Sequence, residues 1–342
     1  MVSWLPELAG RIEECVVDSA ALRGNHLGDA HVRPLWVYLP PAYDRDSSRR
    51  FPTIYVIQGY TGQLFMWGNH NPFRRNTLQQ VDDVFAGGED PCIVVFVDAW
   101  TKCGGSQYVD SAGTGRYHSY LCDDIVSFVD ANFRTIAAPA SRAITGKSSG
   151  GFGAMITPML RPDLFGALAT HAGDALYEAC YLAEFAQAAR ALRAYDHDVW
   201  AWWDAFQGRN GIWAPGDPAV VTALGCSAAF SADTDGTPLL PFDPRTGVVI
   251  EDRWQRWLDW DPVRMVDHHA DALRGLHSIW IDAGKSDEYY LDLGAEAFRA
   301  GLDRIGVLED RIKFELVDGK HGDMHWRYPL AMHWLAGRLA RD

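Results

Sequence analysis

Ser148 stands in Gly146-Lys147-Ser148-Ser149-Gly150, a G-x-S-x-G pattern inside a glycine-dense run that continues through Gly151 and Gly153. Far downstream come Gly284-Lys285-Ser286-Asp287 and Gly319-Lys320-His321. A serine hydroxyl is a weak nucleophile at neutral pH and needs a base within ~3 Å, which a neutral imidazole supplies. A carboxylate on the far ring nitrogen would fix the tautomer and stabilise the imidazolium as the proton arrives. The candidate catalytic set is therefore Ser148, His321 and Asp287, and the reaction it suits is acyl transfer from an ester.

Such residues act together only if the chain delivers them to one place. Ala143 to Thr145 reads as a buried strand, and the apolar run after Gly153 reads as a helix ending near Pro162. Strand, sharp turn and helix is the context in which a serine is held exposed above a sheet, with glycines either side where strand and helix fold back. Pro52 to Ile57 predicts a central parallel strand running into Gln58-Gly59-Tyr60-Thr61-Gly62. That loop is placed to give half of an oxyanion hole, and the backbone N–H groups of Tyr60 and Ser149 are the expected donors. Gly59, Trp100, Tyr108 and Lys147, on or beside these loops, are the candidates for contact with substrate.

Strands are expected within residues 11–38, at 93–98, 167–174, 278–284 and 312–317, and helices at 75–85, 117–132, 291–301 and 326–341. This alternation predicts an α/β fold with a mostly parallel sheet covered on both faces, its carboxyl-end loops along one edge. Ser148, Asp287 and His321 fall on such loops, in the order serine, acid, histidine. Between 176 and 262 the alternation fails, and Trp200, Trp202, Trp203, Trp213, Trp254, Trp257 and Trp260 accumulate. We read a single domain over 1–342 with an inserted helical cap at 176–262, most tryptophans forming the cap's own core and one or two lining a pocket.

Plainer readings accompany each assignment. The glycine run suits any β-to-α turn with an incidental serine, and the Gly59 loop suits an ordinary turn. Asp174 and Asp282 compete with Asp287 for the acid, and His325 and His333 with His321 for the base. His321, Asp323 and His325 also resemble a metal pair, but no third ligand or H-E-x-x-H sequence accompanies them. No metal or other cofactor is expected.

The chain has 342 residues, 48% hydrophobic and 22% charged, with a formal charge of −14. This argues against nucleic acid or an anionic membrane as partner, since phosphate binding needs clustered Lys and Arg. No apolar stretch reaches ~18 residues and the N-terminus lacks a leader pattern, so a cytoplasmic location is the default. The six cysteines form no C-x-x-C pair and read as free thiols. A small-molecule ester is the expected partner, and a homo-oligomer is left open.

Together Val37 to Tyr43, the Gly59 loop, Gly146 to Ala154, Gly284 to Asp287 and Gly319 to His321 with Trp326 resemble the esterase family (esterase D-like and enterochelin-esterase-like) of the α/β-hydrolase superfamily. Its members include S-formylglutathione hydrolase, feruloyl esterases and mycolyltransferases. The resemblance implies an α/β-hydrolase fold, a Ser148, Asp287, His321 triad and serine esterase activity without cofactor. An acyltransferase passing the acyl group to an alcohol, or a non-catalytic binding member, are the alternatives. Asp323 replaces a tryptophan often found two residues after the family histidine, and Gln58 replaces His or Asp, so substrate is not carried over. Lys147, Lys285 and Lys320 adjoin the three loops, which suggests a bias toward anionic substrates unless local acids pair them.

Overall fold

The computed structural model describes residues 7–210 and 212–341. The first six residues, on which the absence of a leader was read, lie outside them. Eight strands form the main sheet: β1 (Arg11–Asp18), β2 (Val32–Leu39), β3 (Thr53–Ile57), β4 (Ile93–Val97), β5 (Arg142–Ser148), β6 (Ala167–Gly173), β7 (Ser278–Gly284) and β8 (Ile312–Val317), in the order β1-β2-β4-β3-β5-β6-β7-β8. β1 and β2 join antiparallel, and everything from β4 through β8 runs parallel.

The sequence explains which strands lie inside. β3 (TIYVI) and β4 (IVVFV) are continuous β-branched and aromatic runs with every residue buried, as a strand covered on both faces requires. β1, at the edge, keeps a half-exposed pattern. Two hydrophobic cores result, one on each face. The smaller packs Trp36, Ile54, Trp67 and Phe96 against helices α1 (Thr77–Phe85) and α8 (Arg327–Ala336). The larger takes the other face and continues into the helices between β6 and β7.

Helix α1 begins two residues later than expected because Asn76 caps it, its side chain accepting from Gln79 N while the Gln79 side chain accepts from Asn76 N. The expected helix at 117–132 is helical throughout but passes through a π-helical turn at Tyr120–Ile125. The last helix starts at Arg327, after a 3-10 turn, His321–Trp326, that carries the histidine.

Helix α2 (Ser149–Leu160) follows β5 with no intervening residue, and α7 (Leu291–Arg304) follows the β7 loop. Between β6 and β7 lie α3 (Leu182–Leu192), α4 (Val199–Gly208), α5 (Asp217–Phe230) and α6 (Glu251–Leu258). Trp202, Trp254 and Trp257 are buried there and pack with Phe185, Phe206 and Phe230. Segments Pro262–His268 and Ala270–Gly275 return to pack on α7 and α2.

Beneath the carboxyl ends of three adjacent strands runs a row of buried polar side chains. Thr145 of β5 lies 3.3 Å from His171 Nε2 of β6, and His171 Nδ1 lies 2.7 Å from Asp282 Oδ1 of β7. Asp282 Oδ2 accepts from Arg327 Nε at 2.8 Å and from Trp280 Nε1 at 2.5 Å. These partners hold the Asp282 carboxyl below its ordinary range although it is fully buried, His171 first among them.

Candidate active site

The turn at Ser148 is forced by its neighbours. A Cβ on Gly150 would lie 2.6 Å from the Ile57 carbonyl oxygen, and one on Gly59 would lie 2.9 Å from the Lys147 carbonyl oxygen. Only hydrogen atoms fit where β3, β5 and α2 meet. Ser148 itself takes φ 59° and ψ −128°, a conformation that costs a non-glycine residue about 1–3 kcal/mol. Its side chain is thereby presented at the edge of a cavity of about 490 Å³.

That cavity brings together Gly59, Tyr60, Lys147, Ser148, Ser149 and His321. His321 Nδ1 lies 2.8 Å from Asp287 Oδ2, and the other oxygen of Asp287 accepts from Tyr289 N at 2.9 Å. The carboxylate is only 5% exposed, and its two acceptor sites are both used. The main chain of His321 is fixed from two further directions, its N–H donating to Glu288 Oε2 at 2.9 Å and its carbonyl accepting from Lys147 Nζ at 3.0 Å. Burial pushes the Lys147 ammonium below its ordinary value, against the pull of nearby Asp287 and Glu288.

Ser149 is the first residue of α2, so its N–H has no intrahelical acceptor and points with the helix's positive end. The Tyr60 side chain anchors the opposite loop. Its hydroxyl lies 2.5 Å from the Cys103 carbonyl oxygen and 2.8 Å from that of Val221 in α5, tying the loop to the helices above the sheet.

The competing acids and bases have other partners. Asp174, at the end of β6, is 7% exposed and lies beside three hydroxyls, Ser149 Oγ and Tyr181 OH at 3.0 Å and Ser148 Oγ at 3.4 Å. Burial raises its carboxyl, with the Ser149 and Tyr181 hydroxyls opposing. Asp282 belongs to the buried row described above. His325 lines the cavity, and burial lowers its ring further than the neighbouring Lys147 does. His333 is exposed on α8. Among the described residues no group of three or more metal-ligating side chains converges.

Trp100 and Tyr108 do not line this cavity. Trp100 offers its carbonyl to the Arg33 guanidinium and to Tyr117 OH. Tyr108 is buried, its hydroxyl donating to the Gln58 carbonyl at 2.7 Å, so it supports the Gly59 loop from behind. The cavity wall also holds Glu184, Tyr181 and Gln107, none of which stands in a motif of the sequence. The signal for Gln107 lies in the backbone, where it and Tyr108 both have positive φ, 53° and 54°. Lys285 pairs with Asp318 at 2.9 Å, the Lys320 backbone N–H donates to Asp323 Oδ2 at 3.1 Å, and of the three lysines it is Lys147 that lines the cavity.

No helix among the described residues is long and apolar enough to cross a membrane. Over its full length the chain is similar to a ferulic acid esterase (TM-score 0.59, 16% identity, 98% of this chain and 100% of the other). It is equally similar to an S-formylglutathione hydrolase of Agrobacterium tumefaciens (TM-score 0.58, 16% identity, 98% of both chains). At this identity the likeness shows the α/β-hydrolase fold. A curated esterase of Mycobacterium tuberculosis is 31% identical over 140 residues, 41% of this chain and 28% of that protein. An endo-1,4-beta-xylanase/feruloyl esterase of Xylanibacter ruminicola is 27% identical over 134 residues, 38% of this chain and 18% of that protein. The matched stretch thus spans under a third of these relatives' length. A family model described as "Putative esterase" matches residues 30–334, nearly the whole sequence, and the chain therefore belongs to that esterase family.

Proposed function

We infer that the chain is a serine carboxylic-ester hydrolase acting through an acyl-enzyme on Ser148. The observation that carries the reading is the shared cavity. A serine on a strained turn and a histidine already bonded to a buried aspartate line the same space, with a helix N-terminus at its edge. Ser148 Oγ makes only a long 3.4 Å contact with Asp174, and the reading requires the side chain to turn from it toward His321. Ser148 Oγ then bonds to the ester carbonyl carbon while its proton passes to His321 Nε2. The developing oxyanion is held by the N–H groups of Tyr60 and Ser149, each worth about 3 kcal/mol of barrier. Collapse breaks the bond to the alcohol oxygen, which takes the proton from His321. Water then adds to the acyl carbon, giving its proton to His321, and Ser148 leaves with that proton restored.

Asp287 keeps Nδ1 protonated, so that Nε2 is free to accept. The helices between β6 and β7 supply the remaining wall as a cap over the site, and the substrate is a small-molecule ester or thioester. The experiment is Ser148→Ala, which should abolish p-nitrophenyl acetate turnover and labelling by a fluorophosphonate while the protein stays folded. Retained turnover or labelling at another residue overturns the assignment.

A further inference from the structure

The proposed active cavity has a second chemical character beside the serine and histidine. Glu184, on α3, lines it, and among the described residues its carboxyl makes no hydrogen bond or ion pair. Burial and the neighbouring Asp174 push that carboxyl up to about 8. A carboxyl so placed lacks a counter-cation, and the cavity's one lysine is committed elsewhere. Lys147 is engaged with the His321 carbonyl and lies near Asp287, Glu288, Asp174 and Asp323. Burial, and after it Lys147, lower the ring of His325 from its ordinary value. Cys180 and Tyr181, also facing the cavity, hold their protons well above their ordinary values because they are buried.

A second acceptor lies in the same wall. Gln107 is 2% exposed, it lines the cavity, and its Oε1 has no hydrogen-bond partner among the described residues, while Nε2 is directed at Cys226 Sγ at 3.2 Å. An unpaired buried acceptor is unfavourable, so a donor-bearing ligand that reached this oxygen after a turn of the amide would relieve it. Tyr181, Trp213 and Tyr289 add aromatic faces and edges around the same space. Carboxyl, amide oxygen and aromatic rings are the groups that together recognise an ammonium ion.

We propose that the ester taken by this cavity carries a cationic amine, and that Glu184 is the residue selecting it. The inference rests on the serine hydrolase reading of the same site, and it replaces a lysine-led preference for anions. Its test uses rigid isosteres that differ by one ring atom. On the acyl side these are p-nitrophenyl piperidine-4-carboxylate and p-nitrophenyl cyclohexanecarboxylate. On the alcohol side they are piperidin-4-yl acetate and cyclohexyl acetate. Each kcat/KM is divided by the ester's own hydroxide-catalysed rate to remove intrinsic reactivity.

In at least one pair the cationic ester should be preferred tenfold or more by the native protein, the ratio falling below threefold in Glu184→Gln. A native ratio near one in both pairs, or a preference that survives Glu184→Gln, overturns the proposal. Calorimetry with piperidine-4-carboxamide and cyclohexanecarboxamide supplies a readout that needs no turnover. Tighter binding of the amine by the native protein, lost in Glu184→Gln, supports the proposal, and equal binding overturns it. If neither ester pair is turned over and Ser148 resists fluorophosphonate, the hydrolase reading fails, while calorimetry still decides the preference for a cation.

Discussion

Replacing Asp287 by asparagine tests the relay without changing its shape. The native carboxylate divides its work, one oxygen accepting from Tyr289 N at 2.9 Å and the other meeting His321 Nδ1 at 2.8 Å. Asparagine has a single acceptor oxygen. If that oxygen stays with Tyr289, the amide N–H₂ faces Nδ1, the ring proton moves to Nε2, and the ring no longer accepts the Ser148 proton. If the amide flips, two donors meet at Tyr289, costing about 1–3 kcal/mol. In either case the imidazolium loses a charge roughly 4 Å away, which at an effective dielectric constant of about 20 is worth about 4 kcal/mol. At 1.4 kcal/mol per decade, kcat for p-nitrophenyl acetate should fall by roughly 10³ to 10⁴. Melting temperature should change little, since the side chain keeps its volume. A loss of less than tenfold in a protein that melts normally would refute the assigned role of Asp287.

Tyr60→Phe keeps the backbone N–H but removes the hydroxyl shared by the Cys103 and Val221 carbonyls. We expect about 1–3 kcal/mol lower stability and a several-fold lower kcat, and unchanged values in both would show that the loop needs no such tie. Gly150→Ala drives a Cβ to 2.6 Å from the Ile57 carbonyl oxygen, so fluorophosphonate labelling should be lost. Normal labelling kinetics would contradict the tight turn. For Glu184 the folded carboxyl is raised from 4.5 to about 8, so the unfolded chain ionises first and stability drains away as pH climbs between those values. Glu184→Gln should thus melt higher than the native protein at pH 8.5 but not at pH 4.5, and thermal scans at both pH values check the sign.

What the sequence disclosed depended on how local the cause was. Strand β5, the Ser148 turn and α2 follow from an apolar run abutting glycines, and the buried runs of β3 and β4 announced themselves by continuous apolar composition. The capping of α1 by Asn76 is just as local, yet the expected helix start at residue 75 lies two residues too early. Asp174 and Glu184 differ, because their character comes from what buries them, and a carboxyl in a helix such as α3 looks like any solvated one in sequence. Trp100 and Tyr108 lie beside the site in sequence, yet neither lines the cavity, and Tyr108 donates its hydroxyl to the Gln58 carbonyl. Side-chain direction on a long loop is a tertiary matter.

The row from Thr145 through His171 and Asp282 to Arg327 has one member on each of four elements that lead into or out of the site. Ser148 ends the first strand, Asp174 follows the second, Asp287 follows the third, and His321 precedes the helix that Arg327 begins. Such a strut works like the crossbar of a jig. The loops above can vary in length and sequence while the spacing of their roots stays constant, and damage to the crossbar should misalign all the tools at once.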